Sequence, residues 1–192
     1  MDNTPRILVF AGSARKESLN RKLAAAAHQM IQDAGGVSTL LDAAEVSLPL
    51  YNQDLEENGL PEEALRLKKI FAEHDALLIA SPEYNSSITP FLKNLIDWVS
   101  RPTEGEEMTA QFRGKVAGLV SASPSGLGGM RALVHVRDIL GNIGVLVIPE
   151  QKAIPNAFDV FDEEGKIQDE NVVKGVRTVV ESLVASTQKL KG

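Results

Sequence analysis

Five short apolar runs punctuate the chain, at 7–11, 37–41, 76–80, 116–120 and 145–148. They read as short strands, and helical-period segments separate them. Strands alternating with helices predict an α/β fold, a parallel sheet with helices on both faces. Leu92, Leu95, Ile96 and Val99 recur at helical spacing, so they and Trp98 are expected in the core. Lys93, Asn94 and Asp97 are left for a polar face or a subunit contact.

Two of the runs break into polar loops just before a helical segment, where open α/β sheets bind ligands. The first loop reads Gly12-Ser13-Ala14-Arg15-Lys16-Glu17-Ser18-Leu19-Asn20 ahead of a helix at 21–30. Two hydroxyls, an amide and a guanidinium at a helix N-terminus suit a phosphate. It is neither a Walker A loop nor G-x-G-x-x-G, and donor side chains in place of glycines suit a terminal monoester better than a pyrophosphate. The alternative is a plain N-cap at Ser18 and a solvated Arg15.

The second loop, Ser81-Pro82-Glu83-Tyr84-Asn85, follows the third run. Pro82 ends the strand, because proline cannot donate to a ladder. Tyr84 and the loop backbone offer the wall and rim that an isoalloxazine ring needs. Glu83 would place negative charge near the reducible end of such a ring, so its carboxylate is expected to point away and only its backbone to be used. Packing for Tyr84 and turn formation for Asn85 are the alternative readings.

With both loops placed, the sequence resembles the NADPH-dependent FMN reductases, a flavodoxin-like family that includes bacterial quinone, chromate and azo-dye reductases. The pattern G-S-x-R-x-x-S-x-N is matched from Gly12 to Asn20, and P-E-Y-N with L-K-N-x-I-D-W by Pro82 to Asn85 and Leu92 to Trp98. Gly128-Gly129-Met130-Arg131-Ala132 fits G-G-x-R-A, and 157–167 resembles the family's penultimate loop. In Ile88-Thr89-Pro90 the proline stands one position later than in the family's S-V-P form.

The resemblance implies a flavodoxin-like three-layer sandwich with strand order 2-1-3-4-5, and FMN held by Ser13, Arg15, Ser18, Asn20 and the Leu19 backbone. Pro82, Glu83, Tyr84 and Asn85 would border the ring, with Ser123 and Gly126 on its pyrimidine side. It also implies NADPH or NADH as donor, a small-molecule electron acceptor, and a homodimer or homotetramer with the flavin at a subunit boundary. Leu48, Leu50 and Tyr51, apolar in a long connection, need a covering surface, which is either their own domain or, as the resemblance implies, a neighbouring subunit whose pocket Tyr51 would reach.

The 192 residues suit one domain over 1–192. A net charge of −6 without a clustered basic patch excludes a nucleic-acid surface. With no cysteine there is no thiolate catalysis and no Cys-ligated metal, so the electron carrier is borrowed; His28, His74 and His135 lack metal spacing and are read as surface or helix-end residues. The acidic stretch 159–164 lacks EF-hand spacing. Residues 1–6 lead straight into a strand, and no run reaches the ~20 apolar residues of a membrane helix, so a cytoplasmic protein without a signal peptide is expected. No catalytic acid or base is expected, since the flavin carries the chemistry. The rival reading is an electron-transfer flavodoxin without NAD(P)H turnover, against which Arg15 in the first loop argues; a redox-sensing scaffold is the third.

Overall fold

The computed structural model describes residues 3–191. Met1, Asp2 and Gly192, to which the readings of the leader and of the domain ends extend, lie outside the described residues. Strands β1 (Arg6–Ala11), β2 (Val37–Leu41), β3 (Ala76–Ala80), β4 (Val116–Ala122) and β5 (Leu146–Ile154) form one parallel sheet in the order β2-β1-β3-β4-β5. Helices α1 (Leu19–Asp33) and α6 (Glu170–Lys191) cover one face. The other carries α3 (Glu62–Ala72), α4 (Pro90–Val99) and α5 (Met130–Asn142), with a one-turn α2 (Gln53–Glu56) in the β2–α3 connection.

The side-chain alternation of a strand builds both cores at once. In β1, Ile7, Val9 and Ala11 pack towards α1 and α6, while Leu8 and Phe10 pack towards α3 and α4. Removing each large side chain from water stabilises the fold by roughly 1.5–3 kcal/mol, which is why the central strands are apolar throughout. Ile7 to Ala11 and Ala76 to Ala80, which lead into the ligand loops, are buried at every position, so those loops leave a rigid edge.

β4 and β5 differ most from expectation. β4 runs on to Ala122, and β5 starts at Leu146 and continues past Pro149 to Ile154. A proline lacks the donor for a central ladder, but β5 is an edge strand, and the register jumps from Ala117↔Val147 to Leu119↔Gln151. The bulge absorbs Pro149, and pairing then resumes, bringing Ile154 beside Ala122.

The proline at position 90 occupies the first turn of α4, where its missing N–H is harmless, and Thr89 caps the helix by accepting from the Leu92 N–H at 3.1 Å. Leu92, Leu95, Ile96, Trp98 and Val99 are buried as expected. Asn94 is an internal strap: its Oδ1 accepts from the Tyr51 N–H at 2.7 Å, and its Nδ2 joins Trp98 Nε1 on the Pro49 carbonyl. The Tyr51 ring packs edge-on to Trp98 at 5.0 Å and its hydroxyl donates to Glu56. Tyr51 and the half-buried Leu48 therefore lie against their own domain, and of the three apolar residues in this connection Leu50 alone stands out, 78% exposed.

The histidines are tied locally: His28 to Ser38 at 2.7 Å, His135 to Ser87 at 2.8 Å, and His74, just after α3 and buried, to Thr39 at 2.8 Å. In the acidic stretch, Asp162 accepts from the Lys166 N–H and from Gln168 Nε2, so its carboxylate shapes a turn. Among the described residues no group of three or more His, Asp or Glu is placed to hold a metal, and no helix is long and apolar enough to cross a membrane.

Candidate active site

The first loop leaves the sheet at Gly12, whose N–H donates to the Ala80 carbonyl at 2.8 Å. A Cβ at Gly12 would lie 3.2 Å from both Leu92 and Pro82, and the Gly12 carbonyl accepts from Thr89 Oγ1 at 2.5 Å, so the two ligand loops are joined at their roots. The chain then turns so that the Ser18 N–H reaches the Arg15 carbonyl and α1 starts at Leu19. Ser18 has N-cap backbone geometry, yet its hydroxyl caps nothing. The N–H groups of Leu19 and Asn20 find no hydrogen-bond partner among the described residues. This helix terminus, with the buried Ser13 and Ser18 beside it, meets an anion with open donors and the positive end of its dipole.

Asn20 behaves differently from the phosphate ligand expected of its side chain. Its Nδ2 donates to the Ala122 carbonyl at 2.8 Å and its Oδ1 accepts from the Ala122 N–H at 3.0 Å. The amide is thus a clamp between α1 and the end of β4, and the Asn20 backbone N–H beside it is an open donor.

In the second loop, Tyr84 and Ser87 exchange both backbone hydrogen bonds, at 2.9 and 3.0 Å, around Asn85 and Ser86. Those two have φ of 49° and 66°, the left-handed pair of a type I′ turn. Asparagine tolerates this region and serine does so poorly, so the turn holds local strain where it carries Tyr84.

Ser13, Arg15, Ser18, Leu19, Asn20, Pro82, Glu83, Tyr84 and Ser123 come together on one cleft of about 230 Å³. An adjoining cavity of about 280 Å³ shares Ser13, Arg15 and Tyr84 and continues towards Phe91. Arg15 and the half-exposed Tyr84 thus form the partition of a longer trough. Two expected residues stand apart: Asn85 sits at the exposed turn tip, and Gly126 is exposed, with open space for 4 Å around the point where a Cβ would stand. Phe158, 73% exposed at the cleft mouth, and Ala122 and Pro124 are lining residues that the sequence motifs did not single out. The signal for Phe158 is its place in the segment resembling the family's penultimate loop, which follows β5.

Residues 5–159 match the NADPH-dependent FMN reductase family. The chain belongs to that family. It is 38% identical to an NAD(P)H:quinone oxidoreductase of Solanum tuberosum, over 97% of this chain and 95% of that one, and 32% identical to an NAD(P)H-dependent FMN reductase of Pseudomonas aeruginosa over the full length of both. Among solved structures, the flavoenzyme NAD(P)H:(acceptor) oxidoreductase FerB of Paracoccus denitrificans superposes with a TM-score of 0.83 at 30% identity, covering 97% of this chain and 98% of that one. An archaeal flavodoxin at 10% identity and a TM-score of 0.62 shares the fold alone. The protein is an oxidoreductase of this FMN reductase family with a flavodoxin-like fold.

For an FMN reductase the disposition of Glu83 matters most electrostatically. Its carboxylate turns to the N-terminus of α5, accepting from the Arg131 N–H at 3.1 Å, the Ala132 N–H at 3.3 Å and Arg131 Nε at 2.7 Å. Glu83 thereby caps a helix whose own N-cap, Gly129, has no side chain. Burial pushes its pKa up, but the Arg131 guanidinium and the helix N–H groups outweigh this and hold it below the ordinary 4.5. With a depressed native pKa, the stabilisation is complete above the ordinary value and drains away as pH falls through the native one. Glu83→Gln is expected to be less stable than the wild type at pH 7, with the gap in urea midpoint closing as acidification carries the pH below the ordinary 4.5 and through the lowered native value. A gap that stays constant with pH would show that the charge contributes nothing.

Proposed function

We propose that the protein is a single-domain, FMN-dependent NAD(P)H oxidoreductase that passes electrons from NADPH or NADH to a quinone, azo compound, free flavin or oxidised metal ion by a ping-pong mechanism. The observation that carries this reading is the uncapped N-terminus of α1, flanked by buried Ser13 and Ser18, opening on the same cleft as Pro82 and Tyr84. Ser13, Ser18, Arg15 and the N–H groups of Leu19 and Asn20 would hold a monoester phosphate. Pro82, the loop backbone and Tyr84 would flank the ring, and Ser123 would lie at its far edge. When bound, FMN supplies the two-electron chemistry that no side chain here can perform.

Each residue then has a physical task. Arg131 and the N-terminus of α5 hold the Glu83 charge away from the ring. Asn20, by fastening α1 to β4, fixes the distance between the phosphate and ring ends. Tyr84, half-exposed, leaves one side of the trough open to donor and acceptor in turn. If donor and acceptor share that one open side, they must occupy it in turn, the order of a ping-pong mechanism. Initial rates against NADPH at several quinone concentrations are expected to give parallel reciprocal plots; intersecting lines would mean that a ternary complex forms.

The purified protein is expected to be yellow and to bleach on addition of NADPH under argon. Slow or absent bleaching in a yellow protein would favour the flavodoxin reading. The exposed Leu50, held on a hydrogen-bonded segment, favours a homodimer or homotetramer, and the absence of cysteine and of a membrane-spanning helix among the described residues suits work in the cytoplasm. Light scattering at micromolar concentration checks the assembly, with a monomer as the contrary result.

A further inference from the structure

The wall that carries the phosphate loop has a second side. Ser13, Arg15 and Ser18 face the cleft described above, whereas the interleaved Lys16, Arg21 and Lys22 line a separate cleft of about 340 Å³ at the carboxyl end of β2. Its floor is made of small and flat apolar surface, Ala24, Ala43 and the exposed edge of Leu40 among them. Small side chains of this kind leave room for a ring to lie against them.

The polar rim is more telling. Arg21 donates to Asp42 Oδ1 at 2.8 Å, and the Ala44 N–H reaches the same oxygen at 2.9 Å, so both bonds fall on Oδ1 and the half-exposed carboxylate keeps Oδ2 for a hydroxyl donor. Lys16 and Lys22 belong to no ion pair among the described residues. Glu164, the other carboxylate of the rim, is paired to Lys166 at 3.3 Å. In a chain of net charge −6, an apolar slot bordered by two unpaired ammonium groups and a hydroxyl acceptor fits a phosphorylated nucleoside.

We infer that this cleft receives the 2′-phosphoadenosine end of NADPH, and so sets a preference for NADPH over NADH. The inference rests on the oxidoreductase reading above. Lys16 and Lys22 would meet the 2′-phosphate, Asp42 a ribose hydroxyl, and the Ala24–Leu40 slot the adenine. A ligand seated here lies against the far side of the loop that carries Ser13, Arg15 and Ser18, and the rest of the dinucleotide would have to cross that loop to reach the ring. Phosphorylated adenosine also occurs in FAD, whose AMP half is the competing source.

The test is calorimetric titration of the FMN-loaded protein with adenosine 2′,5′-bisphosphate and with 5′-AMP, on the wild type and on the double variant Lys16→Gln/Lys22→Gln. The bisphosphate is expected to bind about ten-fold more tightly than 5′-AMP, to weaken with salt, and to lose that advantage in the variant. The NADPH-to-NADH ratio of kcat/KM should fall about ten-fold in parallel. Glu164→Gln, which removes a negative charge from the rim, is expected to tighten the bisphosphate. Equal binding of the two nucleotides, or an unchanged ratio in the double variant, overturns the inference. So does FAD binding to the flavin-free protein more tightly than FMN, with that excess abolished by the variant. Bisphosphate binding in a protein without NAD(P)H turnover would sink the oxidoreductase reading and leave the cleft assignment standing; turnover without bisphosphate binding would do the reverse.

Discussion

Arg15→Ala is expected to weaken FMN binding by roughly 10- to 100-fold while riboflavin binding changes little. The size follows from the ~1.5–3 kcal/mol of a hydrogen bond to a charged group, at about 1.4 kcal/mol per decade. The Arg15 guanidinium donates to the Glu17 carbonyl at 2.6 Å and has further donors to offer to the cleft. It makes no ion pair among the described residues, so removing it leaves no buried partner stranded and the fold is expected to be unaffected. Fluorescence titration of the flavin-free protein with both flavins measures the difference. Equal losses for FMN and riboflavin would place Arg15 at the ring or at neither end, and would remove the phosphate assignment.

What the sequence made legible, and what it hid, divides along a physical line. The apolar runs specify β1, β3 and β4 because a strand buried on both faces has no choice of composition, whereas β2, a mostly exposed edge strand, tolerates Ser38 and Thr39. The end of β5 was hidden because its continuation, Pro149-Glu-Gln-Lys152, is polar and proline-led, and only edge position and a two-residue bulge make such a strand possible. Likewise the loop motifs located the cleft, yet residue type alone could not say where each donor points. Asn20 fits a phosphate ligand in composition, while its amide matches the two backbone groups of Ala122, 102 positions away. Tyr51 read as an apolar residue in search of a partner, and found it in Trp98 and Glu56 of its own chain. In each case the missing information is a long-range contact, which local pattern does not encode.

The glycine pair 128–129 is the strongest instance of a motif whose reason is visible only in three dimensions. Gly129 has φ of 87°, a left-handed conformation that costs an L-residue about 1–2 kcal/mol. Its missing Cβ would stand 1.8 Å from Ser121 Oγ, and that hydroxyl, at the buried end of β4, is the one buried side-chain polar atom without a hydrogen-bond partner among the described residues. Close approach of the α5 N-terminus to β4 thus shuts Ser121 away, and the same approach lets the Arg131 and Ala132 N–H groups reach Glu83. Gly129→Ala is expected to destabilise the protein by roughly 2–5 kcal/mol, the sum of backbone strain and the ~1–3 kcal/mol of overpacking. At about 2–4 °C per kcal/mol for a chain of this size, the melting temperature should drop by about 10 °C. Adding Ser121→Gly removes the hydroxyl but leaves the backbone strain, so the double variant is expected to recover about half the loss, and the coupling read from the full cycle isolates the steric part. A Gly129→Ala protein melting within about 2 °C of the wild type would mean that α5 can slide away from β4 freely, and then Glu83 could not be held turned away from the ring.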